Sequence, residues 1–385
     1  MRNRAGPGGE PQVSSNDDAE EMTLSGEPVA GRYKKGGELS DAEFLAVHGK
    51  TRAQIAEEKR FVESQGMEIN YLVPPRSTKL LDVIAVFIAH MLPFTLAPFI
   101  LTIIVVYISY MLLGWLGPLI SFLVLFYLTV CRMHYDPKTR RMYQELYLKM
   151  ARYMVSVRMV TPRDPIPDGP YIFAFHPHGR MFYSTSLIIQ SHDLWRKHFC
   201  PKGDFFGSAA GAFFVVPIVR NILNNLGVVS VDKPEIVRTL RNKNHVTITI
   251  GGVKEICLGT NPDYDTLYLM KRKGFIKVAM DEKAGIVPIY NFNENQIFRP
   301  EPHWFLAFWE WVNNYIGLGV PGMRGYLQMP MPFRKELLFV VGKPLFAKEG
   351  ETVDEFHARY VEALKQLFDT YVTISPHPSH KLVIT

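Results

Sequence analysis

Cysteine is scarce in this sequence, with three residues in 385 and no C-x-x-C pair. This scarcity argues against a disulfide framework or a cysteine zinc site and indicates a reducing compartment for the soluble part. The Walker A loop, the H-E-x-x-H helix and the G-x-S-x-G elbow are also missing, so three common enzyme classes have no support. No basic stripe interleaved with aromatics occurs, and nucleic acid is not an expected partner. The net charge of +6 favours anionic headgroups or phosphorylated substrates instead.

Ionisable side chains are nearly absent from residues 80–131, where only Asp82 and His90 occur. Because a spanning helix needs about 20 apolar residues, this block predicts a hairpin of two helices. The expected break is Gly114–Pro118, which holds two glycines and a proline. Basic residues on both sides predict cytoplasmic flanks. A spanning hairpin and a re-entrant hairpin fit equally well, and a buried hairpin of a soluble domain is the alternative.

The pattern divides the chain into four parts. Residues 1–50 are predicted to be a disordered tail, because they are rich in Gly, Ser, Pro, Asp and Glu. Residues 51–79 are interpreted as an amphipathic juxtamembrane segment and 80–131 as the membrane hairpin. Residues 132–385 are interpreted as a domain that faces the cytosol.

The last part alternates short apolar runs with helical stretches. This alternation predicts an α/β fold with a mostly parallel sheet flanked by helices, whose chemistry lies at the carboxyl ends of the strands. The predicted strands are 171–175, 246–250, 285–290 and 337–341, and the predicted helices are 137–158, 234–242 and 353–371.

Two histidines follow the first predicted strand, in the turn His176-Pro177-His178-Gly179. A strand end presents an imidazole at the edge of the sheet, where a base of near-neutral pKa can act. We expect one catalytic and one structural histidine. The alternatives are a satisfied core histidine, a simple turn, and an H-x-H metal site whose third ligand is not identified.

A glycine pair and a carboxylate follow the second predicted strand, at Gly251, Gly252 and Glu255. Glycine amides can stabilise a developing oxyanion at close approach. Glu255 can accept a hydrogen bond from an imidazole and fix its tautomer, and a solvated loop carboxylate is the alternative.

A basic run and a polar turn complete the set. Lys271, Arg272, Lys273 and Lys277 suit the phosphates of coenzyme A or anionic headgroups, with a solvated surface as the alternative. The turn after the third predicted strand contains Glu294 and Asn295, which either shape the site or cap a loop.

Aromatic residues cluster in residues 304–311, which contain three of the five tryptophans. Two interpretations stay open for this cluster: core packing, or a belt that seats the domain at a membrane interface.

In order and spacing, these motifs resemble the type-2 diacylglycerol acyltransferases and the related monoacylglycerol and wax-ester enzymes. The resemblance extends over residues 80–368, from the apolar hairpin through the histidine turn and the glycine pair to the basic run. One departure follows the third strand, where the family's Phe-Gly-Glu-Asn is replaced by Phe292-Asn293-Glu294-Asn295.

The resemblance implies that the protein forms triacylglycerol from diacylglycerol, with acyl-CoA as co-substrate and without cofactor or metal. It implies that His178 takes the hydroxyl proton while the oxygen attacks the thioester directly, and that Glu255 supports the imidazolium. Amides near Gly179, or those of Gly251 and Gly252, would bind the oxyanion, with His176 as the structural neighbour beside Pro177.

The resemblance also implies the endoplasmic reticulum membrane as the location, with lipid droplets as a further one. The expected partners are acyl-CoA, diacylglycerol and the bilayer, and a homo-oligomer stays open. A monoacylglycerol or a fatty alcohol is the alternative acceptor. The alternative functions are a non-catalytic membrane scaffold that binds lipid and a metal-dependent hydrolase.

Overall fold

The computed structural model describes residues 50–72, 97–130, 154, 156–180, 202–215, 217–316, 324–326 and 331–385. The predicted tail lies outside these ranges except for Lys50, as do residues 80–96 and 131 of the predicted hairpin.

The helices are α1 Arg52–Ser64, α2 Ala97–Leu113, α3 Leu116–Val130, α4 Ala212–Val215, α5 Pro217–Asn225, α6 Lys233–Arg241, α7 Gly252–Cys257, α8 Gly274–Asp281, α9 His303–Ile316 and α10 Val353–Tyr371, with 3-10 turns at Glu294–Gln296 and Val372–Ile374. The strands are β1 Met67–Leu72, β2 Ser156–Pro162, β3 Tyr171–His176, β4 Phe205–Ala209, β5 Val228–Ser230, β6 His245–Thr249, β7 Tyr264–Leu267, β8 Gly285–Phe292, β9 Glu336–Val341 and β10 Lys381–Ile384.

Eight of these strands form one sheet in the order β1-β2-β9-β8-β3-β6-β4-β5. The five consecutive strands β8, β3, β6, β4 and β5 run parallel to one another. Strand β9 runs antiparallel to β8, and β1 runs antiparallel to β2. A second, two-stranded sheet pairs β10 with β7 in parallel. The prediction of a mostly parallel sheet flanked by helices is therefore confirmed.

The two central strands are apolar without alternation. All residues of β3 and of β8 are buried, including both faces of each strand. Strands that are covered on both faces are typical of parallel sheets packed between helices.

Helix α10 covers one face of this sheet. Its buried residues Phe356, Tyr360, Leu364 and Phe368 recur every four positions, which places them on one side of a helix. The helix begins in a capping box, in which Thr352 and Glu355 satisfy each other's backbone amides. It packs against β8 and α8, so the core lies between α10 and the sheet.

An ion-pair network joins α1 to the sheet edge. The Arg158 guanidinium on β2 is 1% exposed and pairs with Glu58 of α1. It also lies 2.8 Å from the Glu336 carboxylate at the start of β9 and donates to the carbonyl oxygen of Ile374 at 2.9 Å. Residues 51–72, which the sequence assigns to a juxtamembrane segment, thus form α1 and the edge strand β1 of the large sheet.

Helices α2 and α3 form the hairpin, and the chain turns at Gly114 and Trp115 within the predicted break. The Oγ atoms of Ser109 and Ser121 lie 3.0 Å apart across it, and Gly117 is so close to the Ser109 carbonyl that a Cβ would collide there. Large apolar side chains are exposed along both helices. None of the helices in the described ranges has both the length and the apolarity needed to cross a bilayer.

The four predicted strands correspond to β3, β6, β8 and β9, and the predicted helices 234–242 and 353–371 correspond to α6 and α10. The predicted helix 137–158 is wrong at its end, because Ser156–Arg158 begin β2. The residues of β2 are nearly all buried in the sheet, and this burial outweighs a helical spacing of polar residues.

Candidate active site

Three loops meet at one edge of the sheet. Strand β3 is hydrogen-bonded to β6 on one side and to β8 on the other, all in parallel. Their carboxyl ends lead into the turn 176–179, the glycine pair at 251–252 and the turn 293–295. The sheet therefore brings together three of the predicted motifs, as expected for an α/β site.

His176 is part of the core. Its ring is fully buried, and Nε2 lies 2.8 Å from the Tyr360 hydroxyl of α10. Burial lowers the pKa of His176 to about 3, so the ring stays neutral at physiological pH. This arrangement supports a structural role and fixes the start of the turn, in which the His176–Pro177 peptide bond is cis.

The ring of His178 has a defined tautomer. Nδ1 lies 2.9 Å from the carbonyl oxygen of Gly179. Because a carbonyl can only accept, Nδ1 carries the proton of the neutral ring and Nε2 carries the lone pair. Burial lowers the pKa of His178 to about 4; the Gly179 carbonyl opposes this shift and the Arg272 guanidinium adds to it. A neutral imidazole with its lone pair on Nε2 is the state that a general base requires.

Glu255 holds the backbone of the histidine turn. Its Oε1 accepts from the His178 amide at 2.5 Å and its Oε2 from the Tyr268 amide at 2.9 Å. The sequence predicted a hydrogen bond between this carboxylate and the His178 imidazole. The imidazole bonds to the Gly179 carbonyl instead, because both oxygens of the buried carboxylate accept from backbone amides. Burial raises the pKa of Glu255 to about 7, opposed by these amides, with Asp265 raising it and Arg272 lowering it further.

The predicted glycines have steric roles at the site. A Cβ at Gly251 would collide with the Glu255 carboxyl group, so glycine is required for the carboxylate to lie there. Gly179 (φ +63°) and Gly252 (φ +61°) adopt left-handed backbone conformations that L side chains rarely adopt. Their proposed role as oxyanion donors stays a prediction.

The turn after β8 packs on the histidine turn. A Cβ at Gly179 would lie 2.6 Å from Oε1 of Glu294, so the two turns are in direct contact. Asn293 takes a left-handed conformation at φ +79°, where the family has glycine. Asparagine is among the few other residues that tolerate this region, so the departure preserves the turn. Asn295 is buried and donates to Asp265 at 2.6 Å.

The basic run is divided by the structure. Arg272 donates to the Gly251 carbonyl at 2.9 Å and packs over the Tyr268 ring, which places it at the site. Lys273 pairs with Asp354 at 2.7 Å on the surface. Lys271 and Lys277 are exposed.

Several residues near the site carry no sequence signal of their own. Tyr268, Asp265 and Tyr360 lie in a loop, a four-residue strand and a helix, where nothing in their spacing marks them. Arg180 is different, because a cation directly after the histidine turn could have been selected. It is 2% exposed, and burial lowers its pKa, with Glu301 opposing the shift. In the part of the chain that is described, no three His, Cys, Asp or Glu side chains are arranged to hold a metal ion.

Comparisons with known proteins agree on one family. The model of the family "Diacylglycerol acyltransferase" matches residues 111–385. A human "Diacylglycerol O-acyltransferase 2-like protein 6" is 31% identical over 244 residues, covering 58% of this chain and 72% of that protein. A human "2-acylglycerol O-acyltransferase 1" is 28% identical over 247 residues, covering 59% and 73%. "Diacylglycerol O-acyltransferase 2" of Danio rerio is 30% identical over 248 residues, covering 58% and 67%.

Among solved structures, the crystal structure of the 1-acyl-sn-glycerophosphate acyltransferase PlsC from Thermotoga maritima is similar. It is 12% identical with a TM-score of 0.35, covering 69% of this chain and 95% of that chain.

Proposed function

Because this chain belongs to the diacylglycerol acyltransferase family, and is thus an acyltransferase, we propose that it transfers the acyl group of acyl-CoA to the free hydroxyl of diacylglycerol. The product is triacylglycerol. The observation that carries this proposal is the neutral His178 ring, held by its Nδ1 proton on the Gly179 carbonyl at the meeting point of three loops.

The proposed reaction is a direct displacement. Nε2 of His178 takes the hydroxyl proton while the oxygen attacks the thioester carbonyl. The tetrahedral intermediate collapses, the carbon–sulfur bond breaks, and the imidazolium returns the proton to the leaving thiolate. Glu255 fixes the backbone that carries the base, and its negative charge favours the imidazolium. Amides of Gly179, Gly251 and Gly252 are the proposed donors to the oxyanion, and the mechanism uses no cofactor or metal.

The exposed cations give a proposed site for the phosphates of coenzyme A. Lys271, which directly precedes Arg272, and Lys277 on α8 are exposed, whereas the Arg272 guanidinium donates to the Gly251 carbonyl. Phosphate is bound well by such ammonium groups as point charges.

A monoacylglycerol is the second candidate acceptor. The specific observation in its favour is that a relative of similar identity is named a 2-acylglycerol acyltransferase. A fatty alcohol as the acceptor is supported only by the family resemblance.

We also propose that the protein works at a bilayer, in the endoplasmic reticulum, with its catalytic domain on the cytosolic side. Two observations support the bilayer: the exposed apolar surface of α2 and α3, and the exposed aromatic residues of α9. Strands β1 and β2, which pair with each other, lie on either side of the hairpin in sequence. This pairing supports a hairpin that leaves and returns on the same side of the membrane.

The acceptor test supplies labelled acyl-CoA to membranes that contain the protein, with diacylglycerol, monoacylglycerol and fatty alcohol in competition. We expect labelled triacylglycerol as the main product. The variant His178→Ala should lose activity by about 10²–10⁴-fold, since this is what general-base catalysis contributes. The exposed His303→Ala is the matched control and should keep it. Normal triacylglycerol synthesis by His178→Ala would show that His178 is not the base.

A further inference from the structure

Asp265 is a buried carboxylate that the proposed reaction does not use. It lies on β7 and is 4% exposed. Three donors surround it: the Tyr290 hydroxyl at 2.7 Å, the Asn295 amide at 2.6 Å and Nε2 of His380 at 3.3 Å. A buried carboxylate with this many partners acts as a rigid connection between the elements that supply them.

One of these partners belongs to the active-site edge. Asn295 directly follows Glu294, whose side chain packs on Gly179 of the histidine turn. Asn293 donates to the Glu336 carbonyl at 2.8 Å, and Gln296 donates to the Asn261 carbonyl at 2.8 Å. The turn is therefore fixed on several sides, and only Asn295 bonds to a charged side chain among these contacts.

The strand that carries Asp265 leads to the other side of the site. Three residues after Asp265, the Tyr268 amide donates to Glu255, which holds the His178 amide. Asp265 thus lies between the turn that contacts Gly179 and the loop that supports Glu255.

The segment 380–385 reinforces this arrangement. Strand β10 pairs with β7 along its length, and His380 precedes it. The Thr385 carbonyl accepts from the amides of Leu269 at 2.9 Å and Met270 at 2.8 Å. This segment therefore holds the loop between Tyr268 and Arg272 through its backbone.

We propose that Asp265, paired with His380, is a positioning residue that sets the Asn293–Asn295 turn and the Tyr268 loop around His178. It does not touch the reacting atoms. The inference rests on the proposed acyl transfer for its kinetic test, and on amide exchange for a test that is independent of activity.

The first test is Asp265→Asn in the full chain, because asparagine has the same shape without the charge. We expect kcat to fall about 10-fold with the KM for acyl-CoA within about two-fold, since small displacements of a base act mainly on the chemical step. Amide hydrogen exchange should become faster at residues 176–180 and 293–296. Asp164→Asn, at an exposed position between β2 and β3, is the matched control and should change none of these.

A swap separates positioning from general stability. In Asp265→Asn combined with Asn295→Asp, the carboxylate–amide hydrogen bond is restored with the partners exchanged, and we expect kcat to recover at least about three-fold. If Asp265→Asn does not fold, a second variant, His380→Leu, takes its place. It removes one donor at the rim and should lower kcat about three-fold.

The outcomes divide cleanly. Unchanged kcat and unchanged exchange in Asp265→Asn would overturn the proposal, and so would a swap that restores the thermal midpoint but not kcat. If the wild-type protein transfers no acyl group, the proposed function fails instead. The exchange at 176–180 then decides alone whether Asp265 positions the turn.

Discussion

The side chains of His178 and Glu255 are not joined by a hydrogen bond as in a simple dyad. The tautomer of His178 is set by the Gly179 carbonyl within its own turn, at 2.9 Å from Nδ1. Glu255 acts on the backbone of that turn and carries a pKa raised to about 7 by burial. Its charge, rather than a bond to the ring, is what can stabilise the imidazolium.

This division predicts a pH dependence. The carboxylate form of Glu255 is needed, and its pKa is about 7, so the rate should rise with pH through this value. His178, with a pKa near 4, stays neutral across that range. In Glu255→Gln the rate should be lower and should lose the part of the rise that the Glu255 carboxyl group causes. A rate profile for Glu255→Gln that matches the wild-type profile would remove Glu255 from the mechanism.

The same shift has a signature in stability. A carboxyl group whose folded pKa is raised from 4.5 to about 7 favours the folded state fully below 4.5 and loses that contribution as the pH rises to 7. The wild-type protein should therefore lose stability relative to Glu255→Gln across this window. Thermal unfolding of both proteins at several pH values measures the difference.

At this scale the sequence predicted which motifs meet at one edge of the sheet better than it predicted their contacts. The histidine turn, the glycine pair with Glu255 and the Glu294 turn are visible because each follows an apolar run. The partners of these residues come from elsewhere in the chain, as with Tyr360, 184 positions from His176. Spacing alone does not contain such long-range contacts.

Among the elements, α9 carries the aromatic cluster, most of whose members are exposed rather than packed in the core, and its role as a membrane belt stays a prediction. Leu306 is buried, while Trp304, Phe308, Trp311 and Tyr315 are all exposed at spacings of three or four residues. We call these four residues the aromatic face. Three of these rings form a row, with Trp311 5.0 Å from Tyr315 and 6.3 Å from Phe308. Helix α9 packs against α7, which carries Glu255, so the aromatic face lies on a neighbour of the site.

The aromatic face is expected to seat this side of the domain on the lipid surface that holds the acceptor. Trp and Tyr favour such interfaces because their rings are apolar and their N–H and O–H groups are polar. Replacing the four residues by Gln should raise the KM for a long-chain acceptor in vesicles by at least about 10-fold. The KM for a short-chain, soluble acceptor should not change. Asn314→Gln, exposed on the same helix outside the aromatic face, is the matched control.

Equal effects on both acceptors would show that the aromatic face supports folding rather than lipid contact.

Elements with strong patterns were predictable and short ones were not. The strands β3, β8 and β9 consist largely of apolar residues, β6 alternates Val and Ile with Thr, and α10 has a clear helical period. Strands β1, β5, β7 and β10 are short or contain polar residues, and their pairing depends on neighbours far away in sequence. Strand β2 was not predictable from the sequence for the same reason. Arg158, inside this strand, resembles a surface residue until its partners are known.

For the whole molecule, the Arg158 network fixes the edge of the sheet to α1 and to Ile374. In the variant Arg158→Met, Glu58, which is 5% exposed, would keep the Tyr71 hydroxyl at 2.7 Å and the partly exposed Lys50 at 2.9 Å but would lose its buried cation. Removing one partner of a buried pair typically costs about 3–5 kcal/mol, and we expect a loss of unfolding free energy in that range. Arg163→Met, which breaks an exposed pair with Glu63, should cost less than about 1 kcal/mol. Denaturant unfolding of both variants checks the contrast, and equal losses would contradict it.

The pairing of β1 with β2 also sets an order of events in biosynthesis. Met67 lies opposite Pro162. During synthesis the edge strand β1 therefore stays unpaired until the hairpin and a further segment have been made. At about 5–20 residues per second this delay lasts on the order of 5–20 seconds, during which β1 has no partner strand. The apolar hairpin emerges within that interval, before the sheet edge can close. In the proposed membrane location, the hairpin would therefore meet the bilayer before the α/β domain is complete, and a chain that misses the membrane would expose both an open edge and an apolar hairpin to chaperones.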